Sequence, residues 1–273
     1  MSDPTLITSL QNPRVKALVK LRDHRGRRKA GLFIAEGMRA VERAHAAGLK
    51  IESLWVCDEL LGTNNRVPLG TDVEMVSVSA SVFKKVAYVR EPEGILAVCE
   101  PPSWSLEALA QPDASTLDLV AVGTEKPGNL GAMVRSADLA GCRGVIAAGA
   151  PVDAMNPNAI RASTGSVFTL PTISASEDDA MAYLKENNIR ILAAVVDGEV
   201  EHTAADYTGC CAIVIGPEDK GLSEPWRAAT EQTGGQTVRI ATAGRSADSL
   251  NASVAAGVLL FEAVRQRKQA GLQ

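Results

Sequence analysis

Between residues 118 and 270, short unbroken apolar runs alternate with amphipathic stretches, and this alternation restricts the fold more than anything else in the sequence. LVAVG (119–123), GVIAAG (144–149), IRILAAVV (189–196), CAIVIG (211–216) and TVRIA (237–241) read as strands apolar on both faces. Segments 129–141, 157–163, 177–187, 223–232 and 251–268 read as helices between them. Strands that are apolar on both faces need cover on both sides, so the expected fold class is α/β, a parallel sheet flanked by helices. Ligands of such sheets gather beyond the carboxyl ends of the strands. The loops after Gly123, Gly216 and Ile240 are therefore where a site is expected.

The first hundred residues follow a different pattern. Residues 13–24 carry Val15, Leu18, Val19 and Leu21 at helical spacing. GLFIAEG, MRAVERAHAAG and IESLWVC then read as a β-α-β unit, and VEMVSVS and GILAVCE as two further strands around a helical turn at ASVFKKVAY. PPSW at 101–104 reads as the end of this small α/β domain and SLEALAQPDASTLD as a connector. The expected division is a domain over 1–103, a linker over 104–117 and a second domain over 118–273.

Several function classes drop out on residue counts. Five cysteines without a CxxC pair and three scattered histidines offer neither a disulfide framework nor metal-ligand spacing, so no metal is expected. No apolar run approaches the ~20 residues that cross a bilayer, and the start of the chain has no signal-peptide core, which points to the cytoplasm. The net charge is -4, but its distribution is uneven. Residues 1–50 hold eleven Lys/Arg against four Asp/Glu, a local balance of +7 that leaves -11 for the rest. Arg14, Lys16, Lys20, Arg22, Arg25, Arg27, Arg28 and Lys29 crowd the start, enough cation to hold several phosphates of a nucleic acid. The bland alternative is a solvated arm.

In the first loop, GTEKPGNLGAMVRSA, Gly123 and Gly128 have the spacing that opens a phosphate loop. Asn129 and Leu130 stand where that loop needs Lys and Ser/Thr, so a triphosphatase is excluded. GxGxxG is absent, which removes support for a nicotinamide cofactor. Asn129 at the mouth of a helix and Arg135 within it would, taken alone, be ordinary structural residues. IVIGPEDKGLS places Gly216, Glu218 and Gly221 directly after a strand, and ATAGRSADSLN leads through Ser249, Leu250 and Asn251 into a long apolar helix.

Taken in order, NLGAMVRSA, IVIGPEDKGLS and DSLNASVAAGVLLFEAV resemble the three motifs of the SPOUT-class RNA 2′-O-ribose methyltransferases, in the TrmH (SpoU) branch. TSLQNPRVKALVKL and GLFIAEGMRAV resemble the ribosomal-protein-like RNA-binding domain that precedes the catalytic domain in members acting on ribosomal RNA. The resemblance implies a trefoil-knotted C-terminal domain that binds S-adenosyl-L-methionine, a homodimer, and RNA as substrate, 23S rRNA in the first place. A tRNA methyltransferase and a non-catalytic ribosome-assembly protein are the alternatives. By motif position, the cofactor falls against Gly216, Ile240 and Leu250. Arg135 is implied as the group acting on the ribose hydroxyl, as a perturbed base or as a cation that stabilises the alkoxide. Asn129 would orient Arg135 or the ribose, Glu218 would hold the network, and Ser249 and Asn251 would position the hydroxyl and cofactor loop. RNA contacts are expected from Arg14, Lys16, Arg25, Arg27, Arg28 and Lys29.

Overall fold

The structure, a computed structural model, describes residues 6–62, 73–149, 153–244 and 249–272. Its contacts divide the chain into two units. Met1–Ser103 joins with Met155–Thr169, and Trp104–Ala154 joins with Leu170–Gln273. Along the chain the elements are α1 (Pro13–Lys20), α2 (His24–Ala30), β1 (Phe33–Glu36), α3 (Met38–Ala46), β2 (Ile51–Val56), α4 (Asp58–Leu61), β3 (Glu74–Ser77), α5 (Ala80–Val86) and β4 (Ile95–Cys99). They continue with β5 (Leu117–Val122), α6 (Pro127–Leu139), β6 (Gly144–Ala148), α7 (Pro157–Ser163), β7 (Thr172–Ala175), α8 (Glu177–Glu186) and β8 (Arg190–Ala194). The last are β9 (Val200–Glu201), β10 (Cys211–Ile215), α9 (Glu224–Gln232), β11 (Gln236–Arg239) and α10 (Ala252–Gln269).

The first unit holds a four-stranded sheet in the order β1-β4-β2-β3. β1 and β2 run parallel, as a β-α-β unit requires, but β4 is inserted between them and pairs antiparallel with both. Trp55, Phe83, Val82 and Leu18 fill its core. The helix expected over 13–24 stops at Lys20, and the basic run is itself helical. Gly26 makes that turn feasible, since a Cβ there would lie 1.9 Å from the Lys20 carbonyl oxygen. α7 and the turn after it, expected to pack in the second domain, complete this unit instead. Phe168 meets Phe33 at 5.5 Å between ring centroids, and Arg43 donates to Thr164 Oγ1 at 2.9 Å.

The second unit is a seven-stranded parallel sheet, β7-β6-β5-β10-β8-β11-β9. β5, β6 and β10 are buried at every position, as strands covered on both faces must be. From β5 the chain builds outward through β6 and β7, and the later strands lie on the other side. The order thus reverses between β5 and β10, and the carboxyl ends diverge there. Residues 104–116 are no free linker. Leu109 is buried against Gly144, and the Ala110 carbonyl accepts from Arg143. At the amino end of the strands, fully buried Asp118 takes both forks of the Arg143 guanidinium, Nε at 3.1 Å from Oδ1 and Nη2 on Oδ2. Among the described residues no helix is long and apolar enough to cross a membrane.

Candidate active site

Three loops meet at the carboxyl end of the central strands. The loop after β5 turns at Gly123, whose φ of +59° suits glycine, and a Cβ there would touch the Pro217 ring at 3.4 Å. Pro127 then opens α6, its fixed φ already helical and its missing N–H one that the first turn leaves unbonded anyway. The loop after β10 folds back on itself, with Gly221 N donating to the Pro217 carbonyl at 3.1 Å. A Cβ on Gly216 would sit 2.9 Å from backbone atoms of both Gly221 and Leu222, so only glycine leaves this loop its path. Asn251 caps α10, its side-chain oxygen accepting from Ser253 N at 3.1 Å and from Ser253 Oγ at 2.6 Å.

Glu218 joins the three. Its Oε1 accepts from Asn129 Nδ2 at 3.0 Å, from Ala252 N at 3.3 Å and from Asn251 Nδ2, and its Oε2 accepts from Lys126 Nζ at 3.2 Å. One carboxylate thus ties the first turns of α6 and α10 to the loop after β10. The Ala252 amide, followed by Lys126, holds the Glu218 carboxyl below the usual range. A depressed folded value means that these bonds are complete above the ordinary glutamate pKa of about 4.3 and are lost only as the pH falls through the lower folded one. Protection of the Ala252 amide from hydrogen exchange is therefore expected to persist to about pH 4. Loss of protection already between about pH 6 and 5 would show that the carboxylate does not anchor α10.

Beneath this junction lies a cavity of about 560 Å3, within the range of about 300–1,000 Å3 typical of small-molecule sites. Gly216, Ile240, Leu250 and Ser249, all singled out in the sequence, line it. So do Ile215 and Leu222, which make part of it apolar, and Thr242. The end of β8 and the turn after it, Ala194 to Asp197, form a further wall that the sequence reading missed. The carboxyl-end rule applied to every strand would have found it, because β8 lies between β10 and β11. Lys126 was also missed, being one cation in a loop read for its glycines.

Arg135 stands apart. It is exposed on α6 and has no side-chain hydrogen bond or ion pair among the described residues. Six residues at about 100° each turn it roughly 120° away from Asn129, which explains why Asn129 bonds Glu218 and does not orient Arg135. In the first unit, Lys16, Arg25, Arg28 and Lys29 are exposed. Arg14 is committed to a two-pronged pair with Glu74 at 2.8 and 2.7 Å, its guanidinium 5.6 Å from the Trp55 ring. Arg27, expected to face RNA, is 5% exposed and donates to the Leu21 and Arg22 carbonyls at 2.8 Å each, fastening α2 to the end of α1.

Residues 116–261 match the SpoU rRNA Methylase family, and residues 12–97 match the MRM3-like substrate binding domain. The chain belongs to the SpoU rRNA methylase family. A fellow member, the 23S rRNA (uridine(2479)-2'-O)-methyltransferase of Streptomyces viridochromogenes, is 32% identical over 96% of this chain and 92% of its own length. A solved RNA 2'-O ribose methyltransferase is 40% identical, with a TM-score of 0.84 over 96% of this chain and 99% of that one. The SpoU methyltransferase AviRb from Streptomyces viridochromogenes, solved in complex with AdoMet, has a TM-score of 0.84 at 27% identity, over 94% of this chain and 99% of that one.

Proposed function

We propose that this SpoU methylase transfers a methyl group from S-adenosyl-L-methionine to a ribose 2′-hydroxyl of RNA, with 23S rRNA as its substrate in the cytoplasm. The observation that carries the reading is the cavity lined by Gly216, Ile240 and Leu250, set beside a single carboxylate that joins all three motif loops. The names of the relatives support it. The residues present fit the cofactor: the cavity has the volume, apolar lining suits an adenosine, and the loop over Gly216 has no room for a side chain. When bound, S-adenosyl-L-methionine supplies an electrophilic methyl on its sulfonium.

A neutral ribose hydroxyl is a poor nucleophile, so as the new O–C bond forms its proton must leave or its developing charge must be met. Arg135 is assigned that role, by accepting the proton or by stabilising the alkoxide; its freedom from internal partners leaves the guanidinium available to RNA. Ser249 sets the hydroxyl against the cavity. Asn129, Glu218 and Asn251 hold the loops that frame it. Lys16, Arg25, Arg28 and Lys29 give the first unit its phosphate contacts. A second copy of the chain covers the apolar surface formed by Leu139 of α6 and by Val254 and Phe261 of α10, all about half-exposed or more.

Mapping 2′-O-methyl sites in 23S rRNA, by their resistance to alkaline cleavage, tests the function. A site that disappears in a strain lacking the protein and returns with the purified enzyme and cofactor is the expected result, and an unchanged map would refute it. At the cavity, Gly216→Ala is expected to weaken cofactor binding about ten-fold or more, since overpacking against a fixed backbone costs about 1–3 kcal/mol. Calorimetric titration reads this directly. Wild-type affinity in the variant would place the cofactor elsewhere.

A further inference from the structure

A cleft in the first unit has the makings of a nucleotide site that the methyl-transfer reading does not use. It has a volume of about 30 Å3 and is lined by Arg22, Ile34, Glu36, Tyr88 and Arg161 among others. Tyr88 lies two residues past α5, partly buried, and is held from three sides. Its backbone N–H donates to Glu36 Oε2 at 2.7 Å, that of Val89 to Oε1 at 3.4 Å, and Asn158 Nδ2 donates to the Tyr88 hydroxyl at 3.0 Å. The Arg22 guanidinium lies 5.8 Å from the ring centroid. Arg161, on α7, is exposed and hydrogen-bonds to nothing among the described residues. Two guanidiniums against the single Glu36 carboxylate, itself bonded to two backbone amides, leave the cleft one positive charge in excess.

An aromatic ring fixed in advance, a guanidinium stacked near it and an exposed cation beside it are what a nucleotide of single-stranded RNA requires. The base lies on the π system and the phosphate meets the cation. The cleft is too small to enclose a base, so the base would lie on the surface of the Arg22–Tyr88 pair. Ordering costs little, because the scaffold already fixes the ring. We propose that Arg22, Tyr88 and Arg161 form a subsite for an unpaired ribonucleotide of the RNA substrate, distinct from the nucleotide that is methylated, with the base on Tyr88 and its phosphodiester at Arg161. α7 would thereby give the substrate-binding unit a contact that residues 1–103 lack. This rests on the reading of the chain as an RNA methyltransferase.

The test uses the full-length protein and a short single-stranded oligoribonucleotide carrying 2-aminopurine, whose emission falls when the base stacks. Saturable quenching is expected for the wild type. Tyr88→Ala should abolish it and weaken binding on the order of ten-fold, while Tyr88→Phe, which keeps the ring, should stay near wild type. Arg161→Ala, at an exposed position, should lower the slope of log affinity against log salt by about 0.7, one phosphate of a single strand. Equal quenching by wild type and Tyr88→Ala would overturn the proposal. So would an unchanged salt slope in Arg161→Ala, or inorganic phosphate displacing the oligonucleotide equally from wild type and Tyr88→Ala, which would mean a simple anion site. Methyl transfer to 23S rRNA is measured alongside. If the wild type methylates and these variants bind like it, the subsite falls and the function stands; if no methylation occurs, the function falls and the quenching still decides the subsite.

Discussion

Arg135→Ala is expected to lose methyl transfer by a factor of about 10² to 10⁴ while cofactor affinity stays within about two-fold of wild type. The two halves of this expectation come from different parts of the structure. Cofactor binding is assigned to a cavity at the loops after β8, β10 and β11, and Arg135 is not among the described residues that line it. Arg135 itself is exposed, and no partner among the described residues depends on it, so its removal leaves no buried group unsatisfied. An interaction made mainly in the transition state lowers turnover without a matching change in ground-state affinity. Arg135→Lys separates the two roles left open above. It keeps a positive charge and loses the planar fork, so a largely active lysine variant points to charge stabilisation. Single-turnover rates together with calorimetry make the measurement. Near-normal turnover in Arg135→Ala, with only a raised Michaelis constant for RNA, would make Arg135 a binding residue and remove it from the chemistry.

Arg143→Met is expected to destabilise the second unit by about 3–5 kcal/mol, because it leaves a fully buried carboxylate with no ion pair. A fall in melting temperature of roughly 10 °C corresponds to that loss. The pH dependence identifies the cause. Burial already pushes the Asp118 carboxyl up in the intact protein, against the downward pull of Arg143, and loss of Arg143 raises it further. With the folded value above the unfolded one of about 3.9, the native state holds the proton more tightly than the unfolded chain does. Stability of the variant is thus greatest below about pH 4 and declines as the pH rises toward the folded value. Adding Asp118→Asn should recover a large part of the loss and flatten the profile. A variant whose stability is independent of pH would show that packing of Arg143 over Tyr183, 5.9 Å away, matters more than the charge.

Much of this architecture is legible in the residues, for a physical reason. Strands covered on both faces carry unbroken apolar runs, so β5, β6, β8 and β10 announce themselves, and helices between them follow the 3.6-residue period. β7 and β9 escape because they lie at the edges of the sheet, where TISA and the two-residue VE carry no such run. Gly216, Ile240, Leu250 and Ser249 stand out in the sequence because the motifs place them after strands, and the structure gathers all four around one cavity. What a sequence cannot convey is which cation points where. Arg27 and Arg28 are adjacent and chemically identical, yet one is buried under two carbonyls and the other is exposed, a difference set by the turn between α1 and α2. Lys126 likewise acquires its meaning only from Glu218, far away in the chain. The packing of Met155–Thr169 with the first unit rests on pairs such as Phe33 with Phe168 and Arg43 with Thr164, each distant in sequence and without local signal.

The order of strands also governs when each part can be completed as the chain is synthesised. β10 is laid down between β5 and β8, so the centre of the sheet closes only after both its neighbours have waited, and long-range pairing of this kind is slow. The walls of the cavity extend to Ala255, and the Glu218 junction needs Asn251 and Ala252. A nascent chain therefore cannot form this cavity and junction until the first turn of α10 has emerged. The substrate-binding unit is under a milder form of the same constraint. Although its sheet is finished by Cys99, α7 and Phe168 arrive only after β5, α6 and β6 have been made, so it matures alongside the methyltransferase unit and not ahead of it.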